Sequence, residues 1–512
     1  MAVSACYRMW LFTGCSFSVL TLCLCSLSDV TPDVFGGSKN GVVSAFGDFN
    51  ADKLTDIFVL AASGKVLHLL QAEQELTKKT ASFSIKTLID GKNANATYIT
   101  NVAPGDFDGD AQMDLLVTRK QEKQAETNAT VSVQIYWGNS VTDTLDQYPF
   151  SFAEAFRDQP SVIDVNGDMI PDLLGETAEG VRSFFIFSPN RSYSVEKVVN
   201  GTFTAALDPL RIPQSSAFFD FNGDLVADLC MVSEKDQKLQ FEIWTNQNGK
   251  LTWSRTIDSP PELEKFGRPS YYDLNDNHEI NIILPGCSGH ACQDSSVFVW
   301  GRGSWSKLDI QFRSGAESWQ MIGGSSPMDW LNMPFTLRFG DYNLDGFPDA
   351  VAVLKAKSNE TYAAFLLLNT PCSSCGNFSR TFELNVIDSA TETSQRPMLV
   401  AFYDFMENGI LDVLLTVYSD DAPELQALEQ DFTADAYFLK VMVVSGLCVS
   451  NCPHSHQPYG VNQVGPVVRF RTTTSTGSSE IGVICDADLV FINCVAKWPG
   501  SVHDERVLQL FK

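Results

Sequence analysis

The sequence predicts an all-β protein, one closed ring of seven four-stranded blades, and three observations predict it. A nine-residue acidic loop recurs seven times along the 512 residues. Its copies are spaced by 58, 58, 56, 53, 68 and 63 residues, about the length of four short strands with their turns. Each copy is bounded by short β-branched and aromatic runs, which read as strands. Seven units fall within the range that closes a ring, and closure removes the sheet edges that an open array would expose.

The copies begin at Asp48 (DFNADKLTD), Asp106 (DFDGDAQMD), Asp164 (DVNGDMIPD), Asp220 (DFNGDLVAD), Asp273 (DLNDNHEIN), Asp341 (DYNLDGFPD) and Asp404 (DFMENGILD). Val42 to Phe46, Phe335 to Phe339 and Met398 to Phe402 stand before loops, and Ile57 to Leu60, Leu115 to Val117, Ala350 to Leu354 and Val413 to Val417 follow them. All are read as strands.

Oxygen donors recur at loop positions 1, 3, 5 and 9. Alternate residues of a tightly curled loop converge on one point, position 9 closes the set from the opposite side, and position 7 can offer its carbonyl, the requirements of a calcium site. An EF-hand would need a Glu at position 12 and flanking helices; neither is present, so the loop is of β-hairpin type. Five copies are intact: Asp48, Asn50, Asp52 and Asp56; Asp106, Asp108, Asp110 and Asp114; Asp164, Asn166, Asp168 and Asp172; Asp220, Asn222, Asp224 and Asp228; Asp341, Asn343, Asp345 and Asp349. The fifth repeat offers Asp273, Asn275, Asn277, Glu279 and Asn281, and the seventh has Met406 and Asn408 at positions 3 and 5. These two are expected to bind weakly or to persist only as turns.

Charge fits that reading. There are 36 Lys and Arg against 62 Asp and Glu, a formal charge of -26. The five intact loops hold sixteen aspartates, and Ca2+ ions would offset part of their mutual repulsion. The same field repels a phosphate backbone, which excludes general nucleic-acid binding.

Residues 1–28 read as an export signal. Arg8 is the sole cation before an uncharged stretch from Trp10 to Leu27, and Ser26 and Ser28 place the cut after Ser28, with an uncleaved anchor as the alternative. No later stretch reaches the roughly 18 uncharged apolar residues of a membrane span, so the chain as given is expected to be secreted. Sequons at Asn95, Asn128, Asn190, Asn200, Asn359 and Asn377 suit that route. Cys6, Cys15, Cys23 and Cys25 would leave with the signal. Cys287 with Cys292, Cys372 with Cys375 and Cys448 with Cys452 are spaced to close small loops, whereas Cys230 in an apolar run reads as a buried thiol. Cys448, Cys452, His454 and His456 are also zinc-ligand types, the alternative to a disulfide there.

The loops, with Phe-Gly elements such as Phe35-Gly36-Gly37 and Phe46-Gly47-Asp48, resemble the FG-GAP repeats of integrin α-subunit propellers. The whole layout, an export signal followed at once by one propeller, resembles the T-cell immunomodulatory protein (linkin) family from about residue 30 to about residue 478. That resemblance implies a membrane glycoprotein of cell adhesion or T-cell modulation, with a cell-surface or extracellular protein partner. It also implies a β-rich membrane-proximal segment leading to a transmembrane anchor, which is not in this sequence.

The layout divides as a signal peptide over 1–28, the propeller over 29–445 and a partial membrane-proximal region over 446–480. The tail 481–512 changes character; Cys485-Asp486-Ala487-Asp488 and Trp498-Pro499-Gly500-Ser501-Val502-His503-Asp504 resemble part of a Harbinger-type transposase nuclease. About thirty residues cannot build such a core, so Asp486, Asp488, Asp504 and Glu505 are expected to be without catalytic role.

No catalytic residue is assigned. The chain has no G-x-S-x-G elbow, no H-E-x-x-H helix and no phosphate-binding Gly loop, and only six His, of which His278 sits inside the fifth loop. The expectation is a calcium-binding interaction module rather than an enzyme. The alternative is a propeller hydrolase or lyase with a set of residues scattered over blades.

Overall fold

The computed structural model describes residues 27–431, 443–444, 461–474 and 477–484. The internal stretches 38, 62, 74–81, 92–96, 123–129, 140, 199–206, 278, 290–291, 322–327, 329–330, 332, 360, 374, 376–377 and 388–394 are excepted. Most of the signal, Asn95, Asn128, Asn200, Asn377, His278, the Cys448–His456 cluster and residues 485–512 lie outside the described residues.

Seven antiparallel sheets form the ring. Blade 1 runs Val42–Gly47, Asp56–Ala61, Val66–Glu73 and Ser82–Ile89 in plain up-and-down order. Blades 3 and 4 repeat it, the inner strands being Ser161–Ile163 and Ala217–Phe219. Blade 2 draws its outer strand, Phe150–Ser151, from beyond an extra hairpin at Gly138–Asn139 and Thr144–Leu145. Blade 6 explains the longest offset: short strands at Arg313–Ser314 and Glu317–Gln320 precede its inner strand. That inner strand is Arg338–Gly340. The apolar run was expected to be strand from Phe335, but the Phe335 carbonyl instead accepts the Arg268 N–H of blade 5 at 2.7 Å, which takes it out of its own sheet.

Alternation within each second strand builds the core. Successive side chains point to opposite faces, so an apolar run can feed two interfaces at once. Ile57 and Val59 pack toward blade 7 with Tyr403, Leu414 and Leu425, whereas Phe58 and Leu60 pack toward blade 2 with Leu115 and Val117. Leu229 and Met231 face blade 3, while Cys230 and Val232 face blade 5. The same exchange joins blades 5 to 6 and 6 to 7. Deleting a fully buried ring such as Phe58 would cost about 3–5 kcal/mol.

The ring is closed by its own beginning. Leu27–Asp29 adds to Ala422–Gln430 as the fourth strand of blade 7, with Ser28 opposite Glu429, so this strand includes Leu27 and Ser28, which lie before the expected cut, and Val30, Val34 and Phe35 fill the seam between blades 7 and 1. After the last blade, Val461 packs with the blade 1 and 2 core, Val464 with Phe218 and Leu229, and a Cβ at Gly465 would meet Phe218 at 2.6 Å. Val467–Thr474 and Gly477–Ile484 then form a two-stranded hairpin, the second strand crossing residue 480.

Cys287–Cys292 and Cys372–Cys375 are disulfides, and Cys230 is a buried free thiol that burial pushes up to about 12. Of the sequons, Asn190 and Asn359 are exposed in turns between strands.

Candidate metal centre

Every acidic loop joins the inner strand of a blade to its second strand, so all seven lie on one face of the ring. Their shared conformation follows from the backbone. Positions 4 and 6 take left-handed φ where it can be compared: Ala51 and Lys53 (58° and 74°), Gly109 and Ala111 (69° and 67°), Gly167 and Met169 (74° and 68°). Glycine meets that need without strain, which is why it recurs at position 4 or 6.

The aspartate at position 1 is wrapped by the amides this curl turns inward. Asp48 accepts from Asp52 N–H and Lys53 N–H at 3.0 and 2.9 Å, and Asp341 accepts from Asp345 N–H and Gly346 N–H at 3.0 and 2.9 Å. Position 5 caps position 7, as in Asp52 from Leu54 N–H at 2.8 Å.

Position 9 is a two-sided staple. Asp56 accepts Phe49 N–H on Oδ2 and, from the third strand of its blade, Ala72 N–H on Oδ1, both at 2.8 Å. Asp114 does so with Phe107 and Gly138, Asp172 with Val165 and Phe187, Asp228 with Phe221 and Asn246, and Asp349 with Tyr342 and Asn369. Each oxygen keeps a second lone pair, so the staple does not preclude a metal bond.

Position 3 distinguishes the copies. In four of the intact loops it is Asn, whose amide donates to the position 5 carboxylate: Asn50 to Asp52 (2.8 Å), Asn166 to Asp168 (2.9 Å), Asn222 to Asp224 (3.0 Å) and Asn343 to Asp345 (3.3 Å). In the second loop position 3 is Asp108, which cannot donate. There Asp106, Asp108 and Asp114, all buried, bring one carboxylate oxygen each within 4.8 Å of one another. Among the described residues no other group of three does so. Opposing charge arrives from the next blade: Arg191 Nε reaches Asp108 at 2.7 Å, its other nitrogens lie 3.8 Å from Asp110 and 3.3 Å from Asp146, and the guanidinium stacks 5.0 Å from the Trp137 ring centre. Arg380 approaches Asp345 similarly at 3.9 Å, lying over Phe347. No spacing rule could reveal either arginine, since each belongs to a strand or turn outside the loop it serves.

The carboxylates resist ionisation without a cation. Burial, followed by Asp48 and Asp52, pushes Asp56 up to about 8. Burial, then Asp108 and Asp106, drives Asp114 well above the carboxylate range. Burial also lifts Asp172 and Asp349 to about 7 and Asp228 and Asp341 to about 6. Asp110 rises to about 6 by burial and Asp108, with Arg191 opposing. An all-oxygen set of convergent carboxylates under such repulsion suits a hard divalent cation.

The fifth and seventh loops keep the turn. Asp273 accepts Asn277 N–H at 3.1 Å, and Asp404 accepts Asn408 N–H and Gly409 N–H at 3.1 and 2.8 Å. Asp412 staples Phe405 and Gln430 as the intact loops do.

The FG-GAP-like repeat family matches residues 48–117, the first two loops and the sheet between them. The mouse (Mus musculus) T-cell immunomodulatory protein is 34 % identical over 469 residues, covering 89 % of this chain and 74 % of that protein, and the human (Homo sapiens) protein is equally similar. The chain belongs to the T-cell immunomodulatory protein family. Protein linkin of Caenorhabditis elegans is 27 % identical over 486 residues, covering 90 % of this chain and 76 % of that protein. Among solved structures, a rhamnogalacturonan lyase aligns at 10 % identity and TM-score 0.31 over 76 % of this chain and 90 % of that chain, a likeness too slight to carry fold or activity.

Proposed function

We propose that this protein is an extracellular recognition module: a propeller whose acidic loops bind calcium and whose surface engages a cell-surface or extracellular protein, in cell adhesion or in modulation of T cells. It acts by binding rather than by catalysis. The observation that carries the reading is the 34 % identity over 89 % of the chain to relatives named for T-cell immunomodulation. For calcium, the support is the convergence of Asp106, Asp108 and Asp114.

The loop residues would hold the ion by oxygen: positions 1, 3, 5 and 9 of the loops at Asp48, Asp106, Asp164, Asp220 and Asp341. Calcium, when bound, neutralises the clustered carboxylates. The chain's own part is to orient them, which the inward N–H groups do. In the second loop, Arg191 occupies the approach to Asp108 and would have to yield or share it.

No helix among the described residues is long and apolar enough to cross a membrane. Passage through the secretory pathway, with glycans on exposed Asn190 and Asn359, belongs to the same proposal. The test is capture: the secreted chain, immobilised with calcium, should retain a defined cell-surface protein and lose it in excess chelator. Capture of nothing, or turnover of a saccharide by the purified chain, would overturn the reading.

A further inference from the structure

A cation already stands at the second acidic loop, and the protein supplies it. Arg191 lies in the turn between the third and fourth strands of blade 3, Arg182–Ser188 and Ser192–Lys197, where its φ is 61° and its N–H donates to the Ser188 carbonyl at 3.1 Å. Its side chain crosses to blade 2. There Nε donates to Asp108 at 2.7 Å and a second nitrogen lies 3.8 Å from Asp110, so the arginine meets loop positions 3 and 5 together. In four intact loops those two positions are joined by the Asn amide instead. An ionised Asp108 can only accept, and the guanidinium from the next blade takes the place of that amide.

The same guanidinium has a second hold. Its remaining nitrogen lies 3.3 Å from Asp146, and its centre lies 5.0 Å from the Trp137 ring centre. Trp137 and Asp146 flank the extra hairpin of blade 2 and are fixed to each other. The Asp146 N–H donates to the Trp137 carbonyl at 2.8 Å, and the Asn139 amide donates to the Asp146 carboxylate at 2.8 Å. From the other side, Lys86 of blade 1 pairs with Asp143 in the turn of that hairpin at 2.8 Å. The hairpin is therefore anchored without help from the acidic loop. Arg191 has one foothold among the residues that would hold an ion and another outside them.

We infer that Arg191 is a calcium-displaced switch. Without calcium it bridges the second loop to the hairpin; calcium entering the loop moves it off Asp108 and Asp110 and onto Asp146 and Trp137 alone. The inference rests on the calcium reading proposed above and adds regulation to one of its sites. A guanidinium and a divalent ion repel each other strongly across one carboxylate. The ion is the stronger claimant, because Asp106 and Asp114 converge with Asp108. A part-exposed ion pair yields at small cost, and the stack on Trp137 keeps the released side chain at the edge of the loop. The second site then fills at a higher calcium concentration than its four carboxylates alone would set, and its filling remakes a contact between blades 2 and 3.

The experiment is calcium titration of the full secreted chain, followed by calorimetry and by tryptophan emission. The heat lost in Asp110→Asn isolates the second site, and the emission lost in Trp137→Phe isolates Trp137. In the wild type, Trp137 emission should change in step with the second-site heat. Arg191→Gln, which leaves the Asn190 sequon intact, should tighten the second site about two- to fivefold, the scale of a part-exposed ion pair, and remove most of the Trp137 change. Arg191→Lys keeps the charge without the planar fork and should fall between the two. Asp146→Asn should weaken the second site in the wild type and far less in the Arg191→Gln background, since the arginine is what uses that carboxylate. A second site unmoved by Arg191→Gln, Trp137 emission indifferent to its filling, or equal effects of Asp146→Asn in both backgrounds would each overturn the switch and leave the calcium reading standing. A wild-type chain that gives no heat with calcium and melts alike in calcium and chelator sinks both.

Discussion

The loop at Asp106 and the loop at Asp404 fold alike and differ in chemistry. In both, position 1 accepts the N–H of position 6, Asp106 from Ala111 and Asp404 from Gly409, and position 9 staples two others, Asp114 with Phe107 and Gly138, Asp412 with Phe405 and Gln430. The Asp106 loop then adds Asp108 and Asp110, whereas the Asp404 loop has Met406 and Asn408. Positions 1 and 9 make the turn in both loops, and in the Asp106 loop they also supply two of the three converging carboxylates. On the proposed calcium reading, positions 3 and 5 are where a loop that can hold the ion differs from one that only turns.

The largest effect should be blind to that difference. Asp114→Ala and Asp412→Ala each strand two buried N–H groups, at about 1–3 kcal/mol apiece, so both should lose roughly 2–6 kcal/mol in denaturant unfolding, with or without calcium. If only Asp114→Ala is costly, position 9 matters through the metal and the comparison fails.

Next in size is the pH dependence of the chelated chain. Folded-state values near 6 at Asp110, Asp228 and Asp341, near 7 at Asp172, Asp349 and Asp412 and near 8 at Asp56 lie above the unfolded carboxylate range. Between those limits the folded chain holds protons the unfolded chain has released, so stability is present at low pH and lost as pH rises through the folded values. The melting temperature in chelator should fall from about pH 5 to about pH 8, and calcium should flatten that slope. A slope of the opposite sign would show that these carboxylates ionise without penalty.

Arg191 sharpens the contrast further. Arg191→Gln should reduce calcium-free stability by about 1 kcal/mol or less, the scale of a part-exposed ion pair, and raise calcium affinity at the Asp106 loop several-fold by removing a competitor for Asp108. Unchanged calcium titration would make the arginine a bystander. The smallest effect is at Met169, which is exposed and left-handed at φ 68°. Met169→Gly should gain at most about 1 kcal/mol, as relief of the left-handed strain is offset by glycine's entropy. Destabilisation would show that this side chain packs.

What could be read in advance was what is local and repeated. Acids at fixed spacing and apolar runs beside them located the blades because both lie within one stretch of chain. The staple at position 9 was visible only as a candidate ligand, since its second donor sits a strand away, as Ala72 does from Asp56. Arg191, the strand Leu27–Asp29 and the docking of Val461 and Val464 are contacts between distant segments that no periodicity encodes. The short inner strand Arg338–Gly340 was overextended for the same reason, since the bond from Phe335 to Arg268 belongs to another blade.

The central claim, that the loops are built around calcium, is tested most directly by the melting temperature of the full secreted chain at about pH 7.4, in calcium and in excess chelator. An ion that binds only the folded state adds about 2.7 kcal/mol per site at a hundredfold excess over Kd. Calcium should therefore raise the melting temperature by several degrees, less in Asp110→Asn and undiminished in Asn408→Ala. Superimposable curves in calcium and chelator would contradict it.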